Sequence, residues 1–89
     1  MPARIHDPLR IRGVVVDAQG RPVPGARVAL GAGPAALPDI ALLTDDDGSF
    51  WVEVPTPGEY AVLASTDSGS GEARVTVNSG EQSVRIVVG

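Results

Sequence analysis

Between residues 11 and 88 the chain repeats one pattern: a short run in which apolar side chains alternate with polar ones, then a cluster of Gly, Pro, Asp or Asn. Period-two alternation belongs to a strand with one buried face, and the clusters are turn formers. The β-branched run at residues 11–16 predicts a first strand; Asp17-Ala18-Gln19-Gly20 ends it, and Pro22 and Pro24 exclude a helix beyond. Ala26, Val28 and Leu30, alternating with Arg27 and Ala29, predict the second strand, and the breaker-rich residues 31–38 predict a loop. Residues 40–44 predict a short third strand, Asp45-Asp46-Asp47-Gly48 a tight turn, and residues 49–54 a fourth strand that forms a hairpin with the third. Phe50, Val52 and Val54 then share one side.

Thr56-Pro57-Gly58 turns the chain again, after which Tyr60, Val62 and Ala64 face inward and Ala61, Leu63 and Ser65 outward. Residues 67–71 read as the most flexible segment. Ala73, Val75 and Val77 mark a sixth strand, and Val84, Ile86 and Val88, after Asn78-Ser79-Gly80-Glu81, a seventh. Seven short antiparallel strands predict a two-sheet sandwich, because a lone sheet would leave half of these valine faces wet. The expected layout is a flexible tail over residues 1–10 and a single all-β domain over residues 11–89.

Composition narrows the function classes. With 43% apolar residues in 89, the chain has material for a compact core, and without Cys it has neither disulfides nor thiolate metal ligands. A net charge of -4 argues against nucleic acid, whose phosphates are bound by clustered cations. All seven cations are Arg, so Schiff-base chemistry and a P-loop are excluded. Residues 1–12 carry Arg4, His6, Asp7, Arg10 and Arg12 without an apolar run, and no stretch approaches the ~18 apolar residues of a bilayer span. As written the chain is expected to be cytoplasmic, without a membrane role; excised from a larger precursor, it would be exported or displayed on a cell surface.

Ile11, Gly13, Val15, Asp17, Gly20, Pro22, Pro24, Gly25, Ala26, Val28, Thr44, Asp45, Gly48, Phe50 and Tyr60 follow the order of a family pattern. That pattern is Ile-x-Gly-x-Val, Asp-x-x-Gly-x-Pro-x-Pro-Gly-Ala, a Val strand, Thr-Asp-x-x-Gly-x-Phe and Pro-x-Gly-x-Tyr. Over residues 11–88 the chain thus resembles the carboxypeptidase regulatory-like domain, of the transthyretin or prealbumin-like group. Pro57 abuts Gly58, a small departure that bears on one loop length. The resemblance implies a seven-stranded antiparallel Greek-key sandwich and a non-catalytic accessory role beside a larger assembly or neighbouring protein. It transfers no active site: the related hydroxyisourate hydrolases use several His residues and a C-terminal Tyr-Arg-Gly-Ser, whereas this chain ends Val87-Val88-Gly89.

Candidate sites are few. His6 with Asp7 lacks a nucleophile held in a strained turn, so a solvated tail is the simpler reading, and no catalytic residue or cofactor is assigned. Asp45 and Asp47 offer oxygens before a Gly, the start of a calcium loop, but Leu43 and Val54 stand where further donors would be needed; a β-turn satisfied by its own carboxylates fits better. A calcium-stabilised adhesive domain is therefore the weakest reading. Alternation sends Trp51 and Glu53 to an outer face, and Leu43 and Leu63 outward as well, so these four make a tentative interface for another protein. Against that stands a ring covered by the loop at 31–38 or by the tail. Two further readings are a carbohydrate or cell-surface binding module using Trp51, and self-association through an outer face or the terminal edge strand.

Overall fold

The computed structural model describes residues 9–33 and 41–89. Its strands are β1 (Leu9–Val16), β2 (Arg27–Ala32), β3 (Ala41–Leu43), β4 (Ser49–Val54), β5 (Gly58–Thr66), β6 (Gly69–Val77) and β7 (Glu81–Val87). They form a three-stranded sheet, β4-β1-β7, and a four-stranded sheet, β3-β2-β5-β6. The chain passes between the sheets four times, after β1, β3, β4 and β6, so neighbours within a sheet are mostly distant in sequence. That interleaving closes the two layers on each other.

Between them lies one core. Ile11 and Val15 of β1, Phe50, Val52 and Val54 of β4, and Ile86 of β7 meet Val28, Tyr60, Val62, Val75 and Val77 from the opposite sheet. Each such side chain taken fully from water contributes about 1.5–3 kcal/mol, and the period-two spacing makes the contributions coherent along every strand. Gly13 fits this core because Phe50, its cross-strand partner, lies over it: a β-carbon there would meet the Phe50 ring at 2.5 Å and Val84 at 2.8 Å. Tyr60 is fully buried, and its hydroxyl donates to the Thr56 carbonyl at 2.5 Å, tying the start of β5 to the corner that precedes it.

Asp17 and Asp45 build the same turn twice. The Asp amide donates to the carbonyl four residues on, Arg21 or Ser49, and the amide of Gly20 or Gly48 donates to the Asp carbonyl. Each glycine has positive φ, 83° at Gly20 and 77° at Gly48, where a β-carbon would crowd the backbone. Asp17 Oδ1 also accepts from the Gln19 and Arg21 amides, and Asp47 Oδ1 from the Ser49 amide and hydroxyl.

Several expectations need correction. β3 and β4 are not a hairpin: β3 pairs with β2 and β4 with β1, so the turn between them joins the two sheets. The Thr44 hydroxyl accepts from the Ala26 amide and donates to the Val23 carbonyl, fastening the end of β3 to the four-stranded sheet. On the other arm, Val15 N donates to Gly48 O and draws the chain to β1. Pairing is antiparallel throughout except between β1 and β7, which run parallel with Arg10 opposite Glu81 and Val16 opposite Val87.

The segment expected to be flexible is mostly strand. Thr66 pairs with Gly69 across a two-residue connection, Asp67-Ser68, and Gly69 and Gly71 belong to β6. Their missing side chains let β6 approach the end of β7, with Gly71 against the Val87 carbonyl and Gly69 against Gly89. β1 begins at Leu9, two residues ahead of Ile11, and pairs Leu9 and Arg10 with Val54 and Glu53. β2 takes in Gly31 and Ala32 after a bulge, residues that composition alone assigned to a loop. His6 and Asp7, the rest of the tail, and residues 34–40 lie outside the described residues.

Candidate functional site

The four residues of the tentative interface fall on opposite sides of the sandwich. Trp51 and Glu53 lie on the outer face of the three-stranded sheet, while Leu43 and Leu63 lie on that of the four-stranded sheet. Alternation along a strand fixes inside against outside and carries no information on which layer a strand joins.

Trp51 is 54% exposed and sits opposite Arg12 of β1, with Arg10 and Glu53 opposite each other one row away. The Arg10 guanidinium carbon lies 4.6 Å from the centre of the Trp51 ring, a cation–π contact that covers part of the indole. Arg10 Nη2 is also 3.7 Å from Glu53 Oε2, and Arg12 Nε is 3.2 Å from Glu81 Oε2. Exposed pairs of this kind add little stability. Glu53, Arg10 and Glu81 stand in one row of alternating charge across the three strands, and Arg12, in the next row beside Trp51, reaches Glu81. Arg10 in this role leaves no mark on the local pattern, because the stack depends on the β1–β4 register.

On the far face, two rows of residues cross the four strands. One runs Leu43, Arg27, Ser65, Ser70 and the other Ala41, Ala29, Leu63, Glu72. Leu43 is 64% and Leu63 39% exposed, and Leu63 leans over Gly31, where a β-carbon would meet its Cδ1 at 2.6 Å. The small residues between them leave two adjoining open depressions of about 370 and 490 Å³ that share Arg27 and Ser65. A third, small depression at Val28, Ala29, Leu30, Leu42 and Val52 measures about 10 Å³, room for a single water at most.

Asp45 and Asp47 behave as turn residues. Hydrogen bonds from the Ser49 hydroxyl, first, and then the Ser49 amide hold the Asp47 carboxyl below the ordinary aspartate value of 3.8. Among the described residues no group of three or more His, Asp or Glu converges as a metal site. Because the folded value is the lower one, the ionised carboxylate favours the turn at all pH values above 3.8, and this preference is lost as pH falls through the folded value. Ser49→Ala is therefore expected to raise the Asp47 titration midpoint toward 3.8, followed by carboxyl NMR shifts; an unchanged midpoint would mean that the hydroxyl is not engaged.

A profile of the carboxypeptidase regulatory-like domain matches residues 10–88, nearly the whole chain. The chain belongs to that family. No curated protein matches it. Among solved structures it is similar to the 3-chlorocatechol 1,2-dioxygenase of Rhodococcus opacus 1CP, with a TM-score of 0.68 at 18% identity, covering 100% of this chain and 64% of that one. At that identity the likeness is one of fold. The chain spans less than two thirds of the dioxygenase, whose reaction is not carried across.

Seen as a carboxypeptidase regulatory-like domain, the chain spends its family residues on architecture. Asp17, Gly20, Asp45 and Gly48 make the paired turns, Thr44 and Ala26 lock the corner between sheets, and Gly13, Phe50 and Tyr60 fill the core. What lies outside the pattern is the decoration of the two outer faces. Among the described residues no helix is long and apolar enough to cross a membrane.

Proposed function

We propose that this carboxypeptidase regulatory-like domain is a non-catalytic display module that docks another protein on the outer face of its three-stranded sheet, with Trp51 as the anchor. The observation that carries this reading is the exposed indole: 54% of Trp51 is open to solvent, and Arg10, itself paired with Glu53, stacks on its ring. An aromatic side chain already ordered before contact loses little further entropy on binding, and such residues dominate the energetics of protein interfaces. The hydrogen-bonded turns around Asp17 and Asp45 support the same reading, since they fix the strand ends that carry the face. No residue is assigned a catalytic role and no cofactor is required.

Affinity capture with the wild type and Trp51→Ser side by side, read together with thermal unfolding, tests this. Trp51→Ser is expected to lose at least one captured protein while its midpoint stays within about 2 °C, as for other exposed substitutions. Equal capture by both would remove Trp51 as the anchor. A midpoint lowered by several degrees would make the ring a structural residue instead.

A further inference from the structure

β1 and β7 are the one parallel pair of strands among the described residues, and they are also the first and last strands of the domain. Parallel pairing is slightly less stable per residue than antiparallel pairing, so stability does not account for its place here. It has a mechanical consequence. Because the two strands run the same way, β1 starts with Arg10 opposite Glu81, and β7 finishes with Val87 opposite Val16. The start of the first strand and the finish of the last therefore lie at opposite ends of one ladder.

We infer that the domain is a load-bearing link, in which tension applied between its two ends is carried by the β1–β7 ladder in shear. Pulled this way, the strands are drawn past each other along their own length, with the force lying across their hydrogen bonds. The seven residue pairs from Arg10–Glu81 to Val16–Val87, over about 20 Å of strand, then have to yield together. An antiparallel pair in the same place would put both ends of the domain at one end of the ladder, and tension would open it rung by rung.

Both limits of the ladder are closed. Arg10 N donates to Gly80 O ahead of the first pair, and Val88 N donates to Val16 O beyond the last. The Arg12–Glu81 ion pair, at 3.2 Å, crosses the same two strands near the end where tension enters β1. Neither strand is free to swing out of line and turn shear into peeling. β4 holds the other edge of β1 from Leu9–Val54 to Val14–Ser49, and β6 lies along the other side of β7, with Gly71 against the Val87 carbonyl and Gly69 against Gly89. The strands β2, β3 and β5 sit in the opposite sheet, off the path of the load until the ladder has failed. Trp51, on β4, is off that path too, so the inference stands or falls apart from the docking proposal.

Single-molecule pulling of the full chain tests this, with cysteine handles that are unambiguous because the sequence has no cysteine of its own. One pair of handles, added before Met1 and after Gly89, shears the ladder. A second pair, added before Met1 and introduced by Ser79→Cys in the exposed bend ahead of β7, draws the same two strands apart from the Arg10–Glu81 end. At one loading rate the first geometry is expected to unfold at about twice the force of the second or more, since forced unfolding reports the barrier along the pulled path and not the shared stability. Terminal handles on a chain carrying Ser79→Ala should give the same high force as on the wild type.

A terminal geometry that unfolds at or below the force of the second geometry overturns the proposal, because the ladder then bears no more load in shear than in peeling. If Ser79→Ala alone brings the terminal force down to that of the second geometry, the substitution and not the direction of pull makes the difference, which also overturns it.

Discussion

Gly71→Ala is expected to destabilise the domain by about 3 kcal/mol, the upper part of the range for overpacking a closed interior. A β-carbon at residue 71 points at the Val87 carbonyl and at Ile86, so the clash is with backbone that has no rotamer to escape into. β7 cannot retreat, because β1 holds it in register from Arg10 opposite Glu81 to Val16 opposite Val87, and Val88 N donates to Val16 O beyond the strand. β6 cannot retreat without leaving β5, to which it is paired along its whole length. An 89-residue domain has roughly 4–13 kcal/mol of stability in total, so the loss is a large fraction of it. A fall in thermal midpoint of roughly 12–24 °C should follow. Ser70→Ala, next to it on the solvent side, is the control and should shift the midpoint by no more than a few degrees. A midpoint for Gly71→Ala near that of the wild type would mean that β6 and β7 do not meet at this seam.

The same glycine shows where sequence reasoning reaches its limit. Asp67-Ser68-Gly69-Ser70-Gly71 has the composition of a mobile loop, and the turn residues Asp67 and Ser68 are a turn. Gly69 and Gly71, however, are small because another strand arrives there, and the identity of that strand lies some sixteen residues downstream at Val87. Local composition cannot separate a glycine needed for freedom from one needed for room. Gly48, closing a run of aspartates, reads from the sequence as a turn residue, whereas the room that Gly13 leaves for Phe50 follows from the β1–β4 register.

Much of the fold was legible for the opposite reason. Val28, Phe50, Val52, Tyr60, Val62, Val75 and Ile86 were placed inward by alternation, and all are buried, because burying one face of a strand leaves no choice of side once the strand is placed. Pairing is a different question. The turn at residues 45–48 has hairpin chemistry whether its arms join one sheet or two, and the answer rests with Thr44 and Val15, whose partners are far away in sequence. The outer faces inherit that difficulty: Trp51, Glu53, Leu43 and Leu63 all point outward as read, but the layer each belongs to follows from pairing. Arg10 over Trp51, and Arg27 between the two leucines, come into view only with the register.

Thr44 offers the second large effect. It is buried, and its hydroxyl accepts from the Ala26 amide at 2.9 Å while donating to the Val23 carbonyl at 2.7 Å. Thr44 N donates to Ala26 O and Gly25 N to Thr44 O, so the residue closes the Pro22-to-Ala26 bend on both its main chain and its side chain. Thr44→Val keeps the shape and removes both hydroxyl bonds, leaving the buried Ala26 amide and the partly buried Val23 carbonyl without these partners. Such groups cost about 1–3 kcal/mol each, which puts the expected loss at about 2–6 kcal/mol in urea unfolding. Thr44→Ser, which retains the hydroxyl and loses a methyl, should lose only about 1 kcal/mol. If Val and Ser at this position are equally destabilising, the methyl and not the hydroxyl carries the effect, and the corner between the sheets is held by packing. If Val is far worse than Ser, two hydrogen bonds from one side chain are what divert β3 and β4 into different layers, against the hairpin that their turn would otherwise favour.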